Sequence, residues 1–155
     1  MTRIDFYTLE AGRGDRFQFA CQLIEKIRAQ GLRALVHCPD AAQARALDRL
    51  LWTFREGSFL PHGLVGEVDV ELTPVLISPD GQPAQEHQVL LNLALDVPEF
   101  FARFQRVCEL IDQTPEVLAA GRRRWAWYKQ QSCQLEHHRI GRSPDTPLGA
   151  QGEGG

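Results

Sequence analysis

The residues best equipped for chemistry are Arg122-Arg123-Arg124-Trp125-Ala126-Trp127-Tyr128-Lys129, late in a chain of 155 residues whose formal net charge is -3. Between Gly121 and Arg142 there are six Lys or Arg and one acid, Glu136, a local excess of about five positive charges on a mildly acidic protein. Cations interleaved with aromatics form a docking face for an anionic group that carries apolar side chains. The alternative is a solvated arginine face with its tryptophans turned into the core. Arg122, Trp125 and Lys129 recur at i, i+3 and i+7 and so share one side of a helix. Arginine offers a planar fork to a carboxylate or phosphate, and a neighbouring indole adds flat apolar area and a cation–π partner. A C-terminal carboxylate beside an aromatic residue suits this face. A nucleotide, with phosphate on Arg and base on Trp, suits it equally.

A second aromatic cluster lies in Leu47-Asp48-Arg49-Leu50-Leu51-Trp52 and Phe59-Leu60-Pro61-His62. Trp52 and Phe59 fall at a helix end and in a loop, where large rings are harder to bury. They are interface candidates, or else covers for one end of a sheet. Catalytic devices are scarce. Gly12-Arg13-Gly14 begins a dinucleotide fingerprint, but its third glycine would fall on Phe17, and a bulky residue blocks the close helix–strand approach. There is no phosphate-binding loop ending in Gly-Lys-Ser/Thr and no Gly-x-Ser-x-Gly elbow. Cys21, Cys38, Cys108 and Cys133 are scattered without a Cys-x-x-Cys pair, which reads as reduced, mostly buried thiols. His137-His138 are adjacent and poorly placed to chelate one ion. An enzyme would have to use His62 or Cys133, neither with an obvious partner. No metal and no cofactor are expected.

The elements that must position these residues alternate. Arg3–Leu9 is a strand pattern, and Phe17, Ala20, Cys21, Leu23, Ile24 and Ile27 recur at helical spacing up to about Gln30, with Gly31 as the stop. Leu32–Cys38 is a buried-strand run and Ala41–Thr53 a second helix, followed by a looser stretch from Phe54 to Glu71. Pro74–Ile77 and Gln88–Leu93 read as strands, Pro98–Phe104 as a short helix, and Val107–Ile111 as a further strand in preference to a continuation of that helix. The last helix starts at Thr114-Pro115-Glu116, with Thr114 as cap, and runs to about Gln131. Strand–helix alternation predicts a single Rossmann-like α/β domain over 1–142, with a mostly parallel sheet flanked by helices. Residues 143–155, rich in Pro and Gly, read as a disordered tail. No apolar run approaches the roughly 18 residues of a membrane span, and the N-terminus lacks a signal-peptide pattern. A cytoplasmic protein with no membrane partner is expected.

Phe6-Tyr7, Leu47-Asp48 through Trp52, Ser58-Phe59-Leu60-Pro61-His62, Pro74-Val75, Asn92-Leu93, Arg122 through Tyr128 and Leu135 through Ile140 occur in this order. As an ordered set covering nearly all of residues 3–140, they resemble the chi subunit of bacterial DNA polymerase III holoenzyme. The resemblance implies a Rossmann-like accessory subunit of the clamp-loader complex, without an active site of its own. It implies binding to the acidic, Phe-terminated C-terminal tail of single-stranded-DNA-binding protein and to the psi subunit, so that DNA is reached only indirectly. By this resemblance Arg122 meets the tail carboxylate. Trp125, where the family often has Tyr, lines the pocket for the terminal ring, and Ile111 falls near its apolar wall. Trp52 and Phe59 face psi or a repair helicase. Ala126 stands where a Lys is often found, leaving Arg123 or Lys129 to compensate. The competing reading is direct binding of single-stranded nucleic acid through Arg122, Arg123, Trp125 and Lys129. The net negative charge weighs against it, because backbone tracking usually needs a broader positive groove.

Overall fold

Each short apolar run becomes a strand buried on both faces. In the computed structural model, which describes residues 2–54 and 59–141, the strands are β1 (Arg3–Leu9), β2 (Ala34–His37), β3 (His62–Leu64), β4 (Val75–Ser78), β5 (Val89–Asn92), β6 (Arg106–Ile111) and β7 (Gln134–Ile140). They form one sheet in the order β3-β4-β2-β5-β6-β1-β7, and every pairing in it is parallel. The mostly parallel sheet expected from the alternation is therefore wholly parallel among the described residues. The expected tail over 143–155 lies outside them.

Successive side chains along a strand point to opposite faces, and this divides the core in two. Ala34, Val36, Val75, Ile77, Leu91 and Leu110 face α1 (Arg16–Ala29) and α2 (Ala41–Thr53). Ile4, Phe6, Leu35, Leu76, Leu90 and Val107 face the other way, toward Val117 and Tyr128 of α3 (Pro115–Gln130). Continuous Val/Leu/Ile runs are what burial on both faces demands. The helix ends follow local chemistry. Asp15 and Asp40 accept hydrogen bonds from the backbone N–H of Gln18 and Gln43 at 2.9 and 3.0 Å, each satisfying one free donor of a first turn. Gly31 sits at φ +79° just past the α1 cap, the left-handed position at which glycine ends a helix without a Cβ penalty.

Three expectations need correction, and one strand goes beyond them. The looser stretch after α2 contains β3. Beyond α3 the chain forms β7, an edge strand paired to β1, which its mixed polar sequence does not announce. Pro98–Phe104 makes only a 3-10 turn at Phe101–Arg103. Thr114 occupies the cap position of α3, but its side chain makes no capping hydrogen bond. Its backbone N–H donates instead to Asp112 Oδ1 at 3.0 Å.

Candidate binding site on the last helix

Helix α3 is fixed to the sheet by a buried polar cluster. Glu109, fully buried in the middle of β6, accepts from Arg124 Nε at 2.9 Å, from the Tyr128 hydroxyl at 2.7 Å and from Asn92 Nδ2 at 3.1 Å. Arg124 and Tyr128, one turn apart on α3, therefore both point inward, at 3% and 0% exposure. Burial pushes the Glu109 carboxyl above its ordinary range, against the pull of Arg124, Tyr128 and Asn92. The arginine run is thus split three ways. Arg124 is a structural ion-pair partner, and Arg122 and Arg123 emerge on opposite flanks of the helix.

On the Arg122 flank, α3 and the sheet enclose a cavity of about 310 Å³. β1 contributes Phe6 and Thr8, β6 contributes Ile111, β7 contributes His137, and α3 contributes Leu118, Gly121, Arg122 and Trp125. Gly121 is what brings helix and strand this close. A Cβ there would lie 2.2 Å from Ile111 Cδ1, well inside contact distance. The indole of Trp125 stands edge-on to Phe6 at 5.1 Å and to His137 at 5.9 Å between ring centroids. Those contacts fix it as a rigid wall. His137 shares a hydrogen bond of 2.9 Å with the Thr8 hydroxyl. Burial, then the nearby Arg139 and His138, lowers its pKa below the usual histidine value, so it is neutral at pH 7. Arg122, exposed at the rim, is then the sole formal charge lining the cavity, and no acid lines it among the described residues. A mostly apolar hole with one cation at its mouth fits an apolar or aromatic group bearing an anion.

Of the sequence candidates for this site, Ile111, Arg122 and Trp125 come together in the cavity. Lys129 shares their side of α3 but lies one turn beyond the cavity and does not line it. Arg123 lines a separate groove on the opposite flank, together with Trp127. Gly121, Phe6 and His137 are contributors that sequence reasoning missed. A glycine inside an otherwise strong helix pattern was the available signal for close packing.

The second aromatic pair is exposed. Trp52 in the last turn of α2 is 53% exposed and Phe59 is 74% exposed, with ring centroids 6.1 Å apart. Beneath them His62 is buried. Its Nδ1 lies 2.7 Å from Leu60 O and its Nε2 lies 3.1 Å from Asp48 O, and its ring is 4.5 Å from that of Trp52. Both ring nitrogens are engaged in holding this aromatic surface. Cys133, the other enzyme candidate, has its thiol pKa raised by burial, which opposes the thiolate a nucleophile needs. The crevice at the carboxyl ends of the strands, where open α/β sheets usually hold ligands, is lined by Asp15, Asp40, Asp96, Asp112 and Glu116. A phosphate entering there would meet carboxylates at the very helix starts that elsewhere bind anions. Asp5, Glu136 and His138 bring ligand atoms within 4.8 Å of one another. The Asp5 oxygens, however, already accept from Arg3, from Arg106 at 2.7 Å and from His138 at 3.2 Å. Burial alone would raise the Asp5 pKa, yet those hydrogen bonds hold it below the usual carboxylate range.

Comparison with solved structures finds the same α/β architecture elsewhere. The C-terminal domain of S. cerevisiae Dbp5 matches with a TM-score of 0.61 at 11% identity, over 92% of each chain. Bacteriophage T4 UvsW matches with a TM-score of 0.64 at 12% identity, over 92% of this chain but 42% of that one. Such low identity establishes the architecture alone. Sequence comparison goes further. The model of the DNA polymerase III chi subunit family, HolC, matches residues 1–136. The chain is 40% identical over 143 residues to the DNA polymerase III subunit chi of Pseudomonas aeruginosa, spanning 92% of this chain and 99% of that protein. It is 29% identical over 125 residues to the Haemophilus influenzae subunit, spanning 80% of this chain and 87% of the relative. The chain belongs to the DNA polymerase III chi subunit family, accessory proteins of DNA replication. No helix among the described residues is long and apolar enough to cross a membrane.

Proposed function

We propose that the cavity between α3 and the sheet receives the C-terminus of an acidic polypeptide ending in an aromatic residue, the tail of single-stranded-DNA-binding protein. The terminal ring enters between Trp125 and Ile111, and the α-carboxylate pairs with Arg122. The observation that carries this is the cavity's composition, apolar and aromatic walls with a single rim cation and no lining acid. The Trp52–Phe59 surface serves a second replication partner, psi or a helicase. It lies with α2 on the other face of the sheet, near β3 and β4, so both partners can be held at once. The chain then acts as a tether within the clamp-loader assembly, without a reaction of its own.

Direct strand binding is less favoured because Arg124 is committed to Glu109 and the exposed arginines diverge across α3. A backbone track needs contiguous cations. The test is a titration with a fluorescent acidic peptide ending in Phe, beside a bare oligonucleotide, at low and moderate salt. Affinity in the micromolar range, weakened by salt and reduced at least about tenfold by Arg122→Ala, is expected. Oligonucleotide binding without peptide binding would overturn the proposal.

A further inference from the structure

The opposite flank of α3 carries a groove of about 500 Å³, bounded by Arg123, Arg124 and Trp127 on the helix and by the segment from Leu95 to Phe101. Its charges differ in kind from those of the Trp125 cavity. Arg123 meets Asp96 and Glu99 at the rim, while the Arg124 charge is already met by Glu109, around an apolar lining that includes Val97, Pro98 and Trp127. Trp127 is 39% exposed, and its ring stands edge-on to Phe101 with centroids 5.6 Å apart.

Arg124, 3% exposed, lines this groove while its guanidinium is only partly used. Nε donates to Glu109 at 2.9 Å and Nη1 to Leu95 O at 2.8 Å, whereas Nη2 is buried with no acceptor among the described residues. The usual two-pronged closure onto a carboxylate is pre-empted, because Glu109 Oε2 already accepts from Tyr128 and from Asn92. A buried N–H without an acceptor is costly, and an acceptor supplied from outside removes that cost. Because Glu109 already balances the Arg124 charge, the unmet need is for a hydrogen-bond acceptor and not for an anion.

We infer that this groove is a second recognition site, for a neutral peptide segment of a partner protein. An aromatic or branched aliphatic side chain lies against Trp127, Val97 and Pro98, and the adjoining main-chain carbonyl accepts from Arg124 Nη2. A free carboxylate would face Asp96 and Glu99, and a protonated amine has no lone pair to accept from Arg124 Nη2, so the groove selects an uncharged acceptor.

The chain has three tryptophans, and each sits on a different surface: Trp52 beside Phe59, Trp125 in the first cavity and Trp127 in this groove. The whole chain labelled with fluorotryptophan, its resonances assigned by single Trp→Phe variants, therefore reports all three surfaces by fluorine NMR. The probes are N-acetyl-L-phenylalaninamide and N-acetyl-L-leucinamide, with N-acetyl-L-phenylalanine as the carboxylate comparator. The amides should shift the Trp127 resonance saturably, with a dissociation constant on the order of millimolar and several-fold tighter than the carboxylate. The Trp125 resonance should stay in place. Glu99→Lys should narrow or reverse the preference for amide over carboxylate. A stationary Trp127 resonance, tighter binding of the carboxylate in this groove, or a shift at Trp125 alone would each overturn the inference. An acidic Phe-terminated peptide reads out separately at Trp125, so failure here leaves the tail site untouched, and the reverse also holds.

Discussion

Gly121→Ala separates stability from binding more sharply than removing a side chain from the pocket would. The added Cβ meets Ile111 Cδ1 at 2.2 Å and Cγ1 at 3.4 Å. Carbon atoms pack at about 3.5–4.0 Å, so the Ile111 methyl must retreat by about 1.3–1.8 Å. Ile111 is only 4% exposed, yet it lines the cavity beside Arg122 and Trp125, and the open volume lies there. Two opposing effects act on the fold. Replacing glycine by alanine inside a helix favours it by about 1 kcal/mol, and overpacking costs about 1–3 kcal/mol. Because the methyl can turn into open space, the net loss should not exceed about 2 kcal/mol. The same movement fills the floor on which a terminal aromatic ring would rest, so affinity for the acidic Phe-terminated peptide should fall at least about tenfold, or 1.4 kcal/mol. Urea denaturation and fluorescence anisotropy on one preparation measure both quantities. A folded variant that binds the peptide as the parent does would refute the placement of the ring against Ile111 and Gly121.

Three further outcomes follow from the same structure. Glu109→Ala leaves the buried Arg124 charge without its carboxylate and should cost about 3–5 kcal/mol, whereas Glu109→Leu combined with Arg124→Leu should recover most of that; denaturant midpoints decide it. Since the His137 pKa is lowered in the fold, the unfolded chain takes up that proton first as pH falls below about 6.5, so the group opposes folding in that window. A bound carboxylate reverses the preference: peptide binding should strengthen about threefold between pH 7 and 5.5 with proton uptake, measurable by calorimetry in buffers of different ionisation heat, and should lose this slope in His137→Gln. Trp52→Ala and Phe59→Ala should each change stability by no more than about 1 kcal/mol because both rings are exposed, while association with a psi-type or helicase partner is lost; an unfolded variant would mean the rings cover the core.

The architecture was legible where both faces of a strand are buried, because runs such as Leu35-Val36 and Leu76-Ile77 have no other use. It was least legible at the edge. Gln134–Ile140 presents mixed polar residues because only Leu135 and Ile140 pack against the core clusters, and its strand state comes from pairing with β1, which no local pattern encodes. By sequence alone Arg124 groups with its neighbours as surface charge. The counter-signal was Glu109, a lone acid in the buried run Val107-Cys108-Glu109-Leu110-Ile111, which requires a cation from somewhere in the fold. Arg124 and Tyr128 are spaced to face it together. The cavity itself depends on Phe6, Ile111 and His137 arriving from three strands, and spacing along one helix could identify only the α3 wall.

The strand order also sets a timetable for synthesis. β1 is the first strand to leave the ribosome, but its two neighbours are β6 and β7, with Arg3 aligned on Arg106 and on Gln134. Until more than a hundred residues have followed, β1 has no native strand beside it, and its apolar residues Ile4, Phe6 and Leu9 wait uncovered. β2 to β5, by contrast, find one another within the first ninety-two residues. The nascent chain should therefore assemble from its middle outward, with the first strand waiting for β6 and the edge strand β7 closing last. Such long-range closure is slow and leaves an unsatisfied strand open to wrong partners. A chain stalled or cut before β7 would leave one edge of β1 bare, which makes the intact C-terminal strand a condition of solubility as well as of function.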